Sequence, residues 1–76
     1  MYERIRNLRE DKDYNQEKMA QMLSVSQSTY SDYERGEINI PLKTLVKLAD
    51  ILETSIDYLL ERTDEKTPYS PAKRKI

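Results

Sequence analysis

From Tyr2 to Asp11 the apolar side chains fall at Tyr2, Ile5 and Leu8. That spacing lines one face of a helix. A second helix is expected after Asn15, whose side chain can cap the first free backbone N–H groups, with Tyr14 and Met19 as a hydrophobic staple. Met19, Ala20, Met22 and Leu23 then face inward. Ser24-Val25-Ser26 interrupts the pattern, and Ser26 can cap a third helix with Val25 and Tyr30 as its staple. Gly36, the single glycine, suits a left-handed helix end. Pro41 suits the first turn of a fourth helix. Its buried stripe is expected to be Leu42, Leu45, Val46, Ala49 and Leu52, and Ser55 caps a short fifth helix carrying Ile56, Leu59 and Leu60. No segment carries a strand signal. The pattern therefore predicts an all-α, five-helix domain over residues 1–62. Beyond Arg62, Thr67-Pro68-Tyr69-Ser70-Pro71 and Lys73-Arg74-Lys75 predict a flexible, Pro-containing basic tail over residues 63–76.

Composition narrows the classes. A 76-residue chain buries only about 60% of its unfolded surface, so well-packed helices or a partner chain must stabilise it. The absence of Cys and His excludes disulfides, the common zinc sites, a thiol nucleophile and an imidazole base. No spacing singles out a carboxylate pair among the 14 acidic residues, so no catalytic residue, metal or other cofactor is expected. No apolar run approaches the length of a membrane span, and the N-terminus is charged, so a cytoplasmic protein is expected. Thirteen basic against 14 acidic residues leave a net charge of −1, without the basic excess common in nucleic-acid binders. The field of a docking face is nevertheless local, screened beyond about 10 Å.

The second and third helices carry the most information. A short turn makes them cross steeply, and Ala20 supplies the small side chain that close crossing needs. On the third helix Tyr30 and Tyr33 share one face, while Gln27, Ser28, Ser31, Asp32 and Arg35 form the opposite one. A helix about 10–12 Å across fits a DNA major groove about 12 Å wide, where short polar side chains reach base edges. A solvated helix face would have the same composition.

Two charged residues fall on inner faces. Arg9 lies four residues after Ile5, and Glu34 four after Tyr30. A charge on an inner face needs a partner, so Arg9 and Glu34 are expected to pair. Ile56, Tyr58, Leu59 and Leu60 put four apolar side chains in five positions, more than one helical face can bury. Ile56, Tyr58 and Leu60 are therefore candidates for a two-fold interface, unless the tail beyond Arg62 folds back over them.

Arg4 to Leu60 resembles the Cro/XRE-type helix-turn-helix family, which includes the lambdoid phage repressors. The likeness runs through Arg4-Ile5-Arg6-Asn7-Leu8-Arg9, Asn15-Gln16-Glu17-Lys18-Met19-Ala20, Val25-Ser26-Gln27-Ser28-Thr29-Tyr30-Ser31 and Tyr33-Glu34-Arg35-Gly36. It closes with Leu45-Val46-Lys47-Leu48-Ala49 and Thr54-Ser55-Ile56-Asp57-Tyr58-Leu59-Leu60. The resemblance implies a compact bundle of the lambda repressor-like DNA-binding type. It also implies a sequence-specific regulator of transcription, expected to repress, that binds double-stranded operator DNA as a homodimer. No small-molecule effector is evident. Carried onto this chain, the family pattern gives Gln27, Ser28, Ser31 and Asp32 the base-reading positions, with Gln27 steadied by Gln16. Asn15, Gln16, Arg35, Asn39 and Lys43 take the phosphate contacts, and the Arg9–Glu34 pair is implied as well.

Two positions depart from the pattern. Ser24 stands where the family usually has Gly, so either Ser adopts the left-handed conformation at about 1–2 kcal/mol or the turn changes and tilts the third helix. Asp32 puts a carboxylate on the expected DNA-facing surface, where it either accepts from a cytosine amino group or repels DNA. The alternative from another class is a protein-binding module, such as an antitoxin, that uses the same fold to hold a protein.

Overall fold

A computed structural model describes residues 2–68 of the chain. Five helices follow one another: α1 (Glu3–Asp11), α2 (Gln16–Leu23), α3 (Gln27–Arg35), α4 (Leu42–Ile51) and α5 (Ile56–Leu59). Among the described residues there is no strand. Three helix starts form as their sequences dictate. Asn15 Oδ1 accepts from Lys18 N at 2.7 Å, Ser26 Oγ from Thr29 N at 3.1 Å and Ser55 Oγ from Tyr58 N at 3.0 Å.

The helix ends share one device. Asp13, Ser24, Gly36, Glu53 and Glu61 all have positive φ, between 55° and 74°. The N–H of the residue after each one reaches back five positions, at 2.8–3.2 Å: Tyr14 to Arg9 O, Val25 to Ala20 O, Glu37 to Asp32 O, Thr54 to Ala49 O and Arg62 to Asp57 O. This bond satisfies a carbonyl that the ending helix would leave free. Glycine occupies one of the five positions, so four side chains carry left-handed strain.

One core sits between the helices. It is built from Ile5 and Leu8 of α1, Met19, Ala20 and Leu23 of α2, Tyr30 and Tyr33 of α3, Leu45, Leu48 and Ala49 of α4, Leu52, and Leu59 of α5. The stripe expected on α4 needs correction. Val46 is 44% exposed and Leu42 72% exposed, whereas Leu48 is fully buried. Positions 45, 48, 49 and 52 follow the i, i+3, i+4, i+7 rule, and Val46 lies about 100° round the helix from Leu45. Leu42 is in phase with that stripe, but it stands in the first turn and faces solvent.

Residues 63–68 turn back over the bundle. Arg4 donates from Nη1 to the carbonyls of Tyr58 (3.0 Å) and Thr63 (2.6 Å), and its Nη2 pairs with Asp64 at 2.9 Å. Its guanidinium also lies 4.2 Å from the centre of the Tyr58 ring. Thr54 Oγ1 donates to Lys66 O at 2.7 Å. Part of the segment expected to be a flexible tail is thus fastened to α1 and to the α4–α5 turn. Residues 69–76 lie outside the described residues.

Candidate nucleic-acid interface

The interface is built around the α2–α3 unit. Ser24 keeps the left-handed turn at φ 59°, ψ 41°. Of the two conformations open to it, Ser therefore takes the strained one, and the turn keeps its shape. Ala20 is buried where α2 meets the rest of the core. Tyr30 and Tyr33 plant the inner face of α3, Tyr30 fully buried and Tyr33 nearly so.

A polar cluster fixes this unit to α1. Glu34 accepts from Arg9 at both oxygens, Nε to Oε2 at 2.6 Å and Nη2 to Oε1 at 3.2 Å. The same carboxylate accepts from the Tyr30 hydroxyl at 2.5 Å and from Gln16 Nε2 at 3.3 Å. Arg9 Nη1 donates in addition to Tyr14 O at 2.8 Å. Arg9 and Glu34 are both 8% exposed, and among the described residues no buried side-chain nitrogen or oxygen lacks a partner. Burial pushes the Glu34 carboxyl up, but the hydrogen bonds from Arg9 and Tyr30 outweigh it and hold the group below its ordinary range. Burial, then the bond to Glu34, pushes the Tyr30 hydroxyl well up. The hydrogen bond to Glu34 holds Arg9 above its ordinary value. The cluster is a charged carboxylate, a charged guanidinium and a neutral phenol at any pH near 7.

The outward residues divide by exposure. Gln27 and Ser28, in the first turn of α3, are exposed, and Ser31 and Asp32 are half-buried one turn further on. Arg35, Asn39 and Lys43 are exposed along the end of α3, the α3–α4 loop and the first turn of α4. Arg35 Nη2 pairs with Asp32 Oδ1 at 2.5 Å. Asn15 is exposed, with its side-chain oxygen engaged as the α2 cap. Gln16 is half-buried, and its amide N–H donates to Glu34 rather than to Gln27. A shallow cleft opens beside the cluster, lined by Arg6 and Glu10 of α1, Gln16 of α2, and Ser31 and Arg35 of α3 among others. Sequence reasoning did not single out Arg6, whose place on the cleft depends on how α1 lies against α3.

At the far end of the bundle Ile56 and Tyr58 are half-buried and Leu60 is 38% exposed. Arg4 covers the Tyr58 ring, a contact that no spacing in the sequence marks.

Two short helices joined at Ser24-Val25-Ser26, the second with an apolar inner and a polar outer face, define a helix-turn-helix protein. The chain belongs to the helix-turn-helix family, whose profile matches residues 5–59. It is 43% identical over 61 residues to the SPbeta prophage-derived uncharacterized HTH-type transcriptional regulator YonR of Bacillus subtilis, covering 80% of this chain and 56% of that protein. It is 43% identical over 65 residues to the cryptic phage CTXphi transcriptional repressor RstR of Vibrio cholerae serotype O1, covering 83% and 58%. The HTH-type transcriptional regulator DicA of Escherichia coli K12 is 30% identical over 74 residues, covering 97% and 55%. The chain thus spans a little over half the length of these relatives. No solved structure matches it at a significant level. Among the described residues no helix is long and apolar enough to cross a membrane.

Proposed function

We propose that this chain acts as a sequence-specific DNA-binding transcriptional regulator that lays α3 in the major groove of an operator. The observation that carries the reading is the two-faced α3. Tyr30, Tyr33 and Glu34 lock it to α1 and α2, while Gln27, Ser28, Ser31 and Asp32 turn polar groups outward on a fixed backbone. A rigid helix lets base-edge contacts form without first being ordered.

In this reading Gln27 makes the main base contact, its amide matching the N6 donor and N7 acceptor of adenine. Ser28, Ser31 and Asp32 face neighbouring bases. Asn15, Gln16, Arg35, Asn39 and Lys43 hold phosphates, helped by the free N–H groups at the start of α2. The names of the relatives, regulators and a phage repressor, support the same role and favour repression. Two copies bind two half-sites about 34–36 Å apart, joined through Ile56, Tyr58 and Leu60, of which Leu60 is the most exposed.

Selection of bound duplexes from a random pool, followed by a salt titration of the winner, tests this reading. Enrichment of a two-fold symmetric site, with affinity falling steeply as salt rises, is the expected result. A pool without enrichment, and no binding at low salt, would overturn it.

A further inference from the structure

The DNA-facing surface carries its own phosphate substitute. Arg35 stands at the end of α3 with its side chain 59% exposed, and its guanidinium is held by Asp32 one turn earlier, at 2.5 Å. Arg6, on the opposite wall of the same shallow cleft, is held likewise by Glu10, at a looser 3.4 Å. Both exposed arginines of the cleft, Arg6 and Arg35, are thus paired within their own helices, while the buried Arg9 is held by Glu34. A DNA phosphate brought to Arg35 meets an occupied cation, with the displaced carboxylate left beside it. We propose that Asp32 tempers phosphate-driven DNA binding through Arg35: its carboxylate competes with DNA phosphates for the guanidinium and so weakens binding to duplexes that offer no base contacts. This rests on the DNA-binding reading above.

The physics sets the size of the effect. An exposed pair of this kind contributes little, so base contacts on a cognate site outweigh it. Random DNA offers phosphates alone, and there the same competition is a large share of what is gained. The competition lowers affinity for every duplex, and its mark is clearest on random DNA, where base contacts add nothing to mask it. Competition through Arg35 differs from simple repulsion in one measurable respect: it needs the arginine.

The test is a double-mutant cycle on a random-sequence duplex, over a salt series, with Asp32→Asn, Arg35→Gln and the double variant. Both positions lie on the outer face of α3, so all three variants should melt near the wild type. Asp32→Asn is expected to bind random DNA about two- to five-fold more tightly, the range that release of an exposed ion pair allows. Its salt slope should steepen by up to about 0.9, the value for one further counterion released. In the Arg35→Gln background the same substitution should change nothing. A gain of equal size in both backgrounds would mean plain charge repulsion and overturn the proposal. So would unchanged random binding with loss of cognate binding, which would make Asp32 a base reader and nothing more. Wild-type protein that binds no duplex at any salt overturns the DNA-binding reading and this inference together. Wild-type binding that Asp32→Asn leaves unaltered overturns this inference alone.

Discussion

Tyr30 and Glu34, one turn apart on α3, share a buried hydrogen bond in which the phenol donates to the same carboxylate oxygen that receives Arg9 Nε. One side chain thereby joins α3 to itself, to α1 and, through Gln16, to α2. Removing it should leave the buried Arg9 guanidinium without its carboxylate, held only by Tyr14 O and a 4.0 Å approach to Glu10. Glu34→Ala is expected to lower unfolding free energy by about 3–5 kcal/mol. Tyr30→Phe, which deletes one hydrogen bond to a charged group, should cost about 1.5–3 kcal/mol. Urea unfolding measures both. A loss below about 1 kcal/mol for Glu34→Ala would mean that the pair behaves as an exposed one.

The same cluster makes stability depend on pH in two directions. Glu34 has its folded pKa below the unfolded value of about 4.3, so its contribution is present above that pH and fades as pH falls through the folded value. Tyr30 has its folded pKa raised above the unfolded value of about 10, so its contribution is present below pH 10 and is lost as pH rises through the folded value. Wild-type urea midpoints should therefore fall at both extremes. Glu34→Gln should flatten the acid limb, and Tyr30→Phe the alkaline one. An alkaline limb that Tyr30→Phe leaves unchanged would assign that loss to other groups.

Ser24 stores strain that glycine would relieve. A side chain in the left-handed region costs about 1–2 kcal/mol, and the extra unfolded-state freedom of Gly offsets about 0.5–1 of that. Ser24→Gly should thus stabilise the chain by about 0.5–1 kcal/mol, since the Val25-to-Ala20 bond needs no side chain at position 24. Gly36→Ala should do the reverse and cost about 1 kcal/mol or more. A shift of the urea midpoint at constant m-value reports both. Destabilisation by Ser24→Gly would show that the Ser24 side chain itself supports the turn.

The elements were legible where local chemistry decides them. Asn15, Ser26 and Ser55 cap because each precedes an apolar run with a short oxygen-bearing side chain, and Gly36 ends α3 because it alone takes positive φ without strain. Arg9 and Glu34 were legible as partners because both stand at inward positions that a lone charge cannot occupy. Val46 misled because apolar residues at 45, 46, 48 and 49 allow two overlapping stripes, and only the packing against α2 and α5 chooses between them. Asp13, Glu53 and Glu61 gave no sign of their left-handed backbone, since residue type does not mark it and the bond that closes each helix end joins backbone groups, which every residue carries. The Arg4 clamp was invisible for the same reason: two of its acceptors are backbone carbonyls. In the interface, exposure of Gln27 and Ser28 followed from helix phase. The inward turn of Gln16 depended on where Glu34 would sit.

Gln27 and Lys43 should separate the two kinds of DNA contact. Gln27 occupies the first turn of α3 and is exposed, so its amide is free to meet a base edge. Lys43, exposed in the first turn of α4, is a flexible point charge suited to a phosphate. Gln27→Ala should cost about 1–3 kcal/mol on the selected operator and much less on random duplex, with an unchanged salt slope. Lys43→Ala should weaken both DNAs alike and lower the slope by about 0.9. Both variants alter exposed side chains outside the core, so unchanged melting would tie any loss to the interface. Equal losses on the two DNAs for Gln27→Ala would remove it from the base-reading set. An unaltered slope for Lys43→Ala would mean that α4 does not reach the backbone, and that the start of α2 and the end of α3 hold the duplex without it.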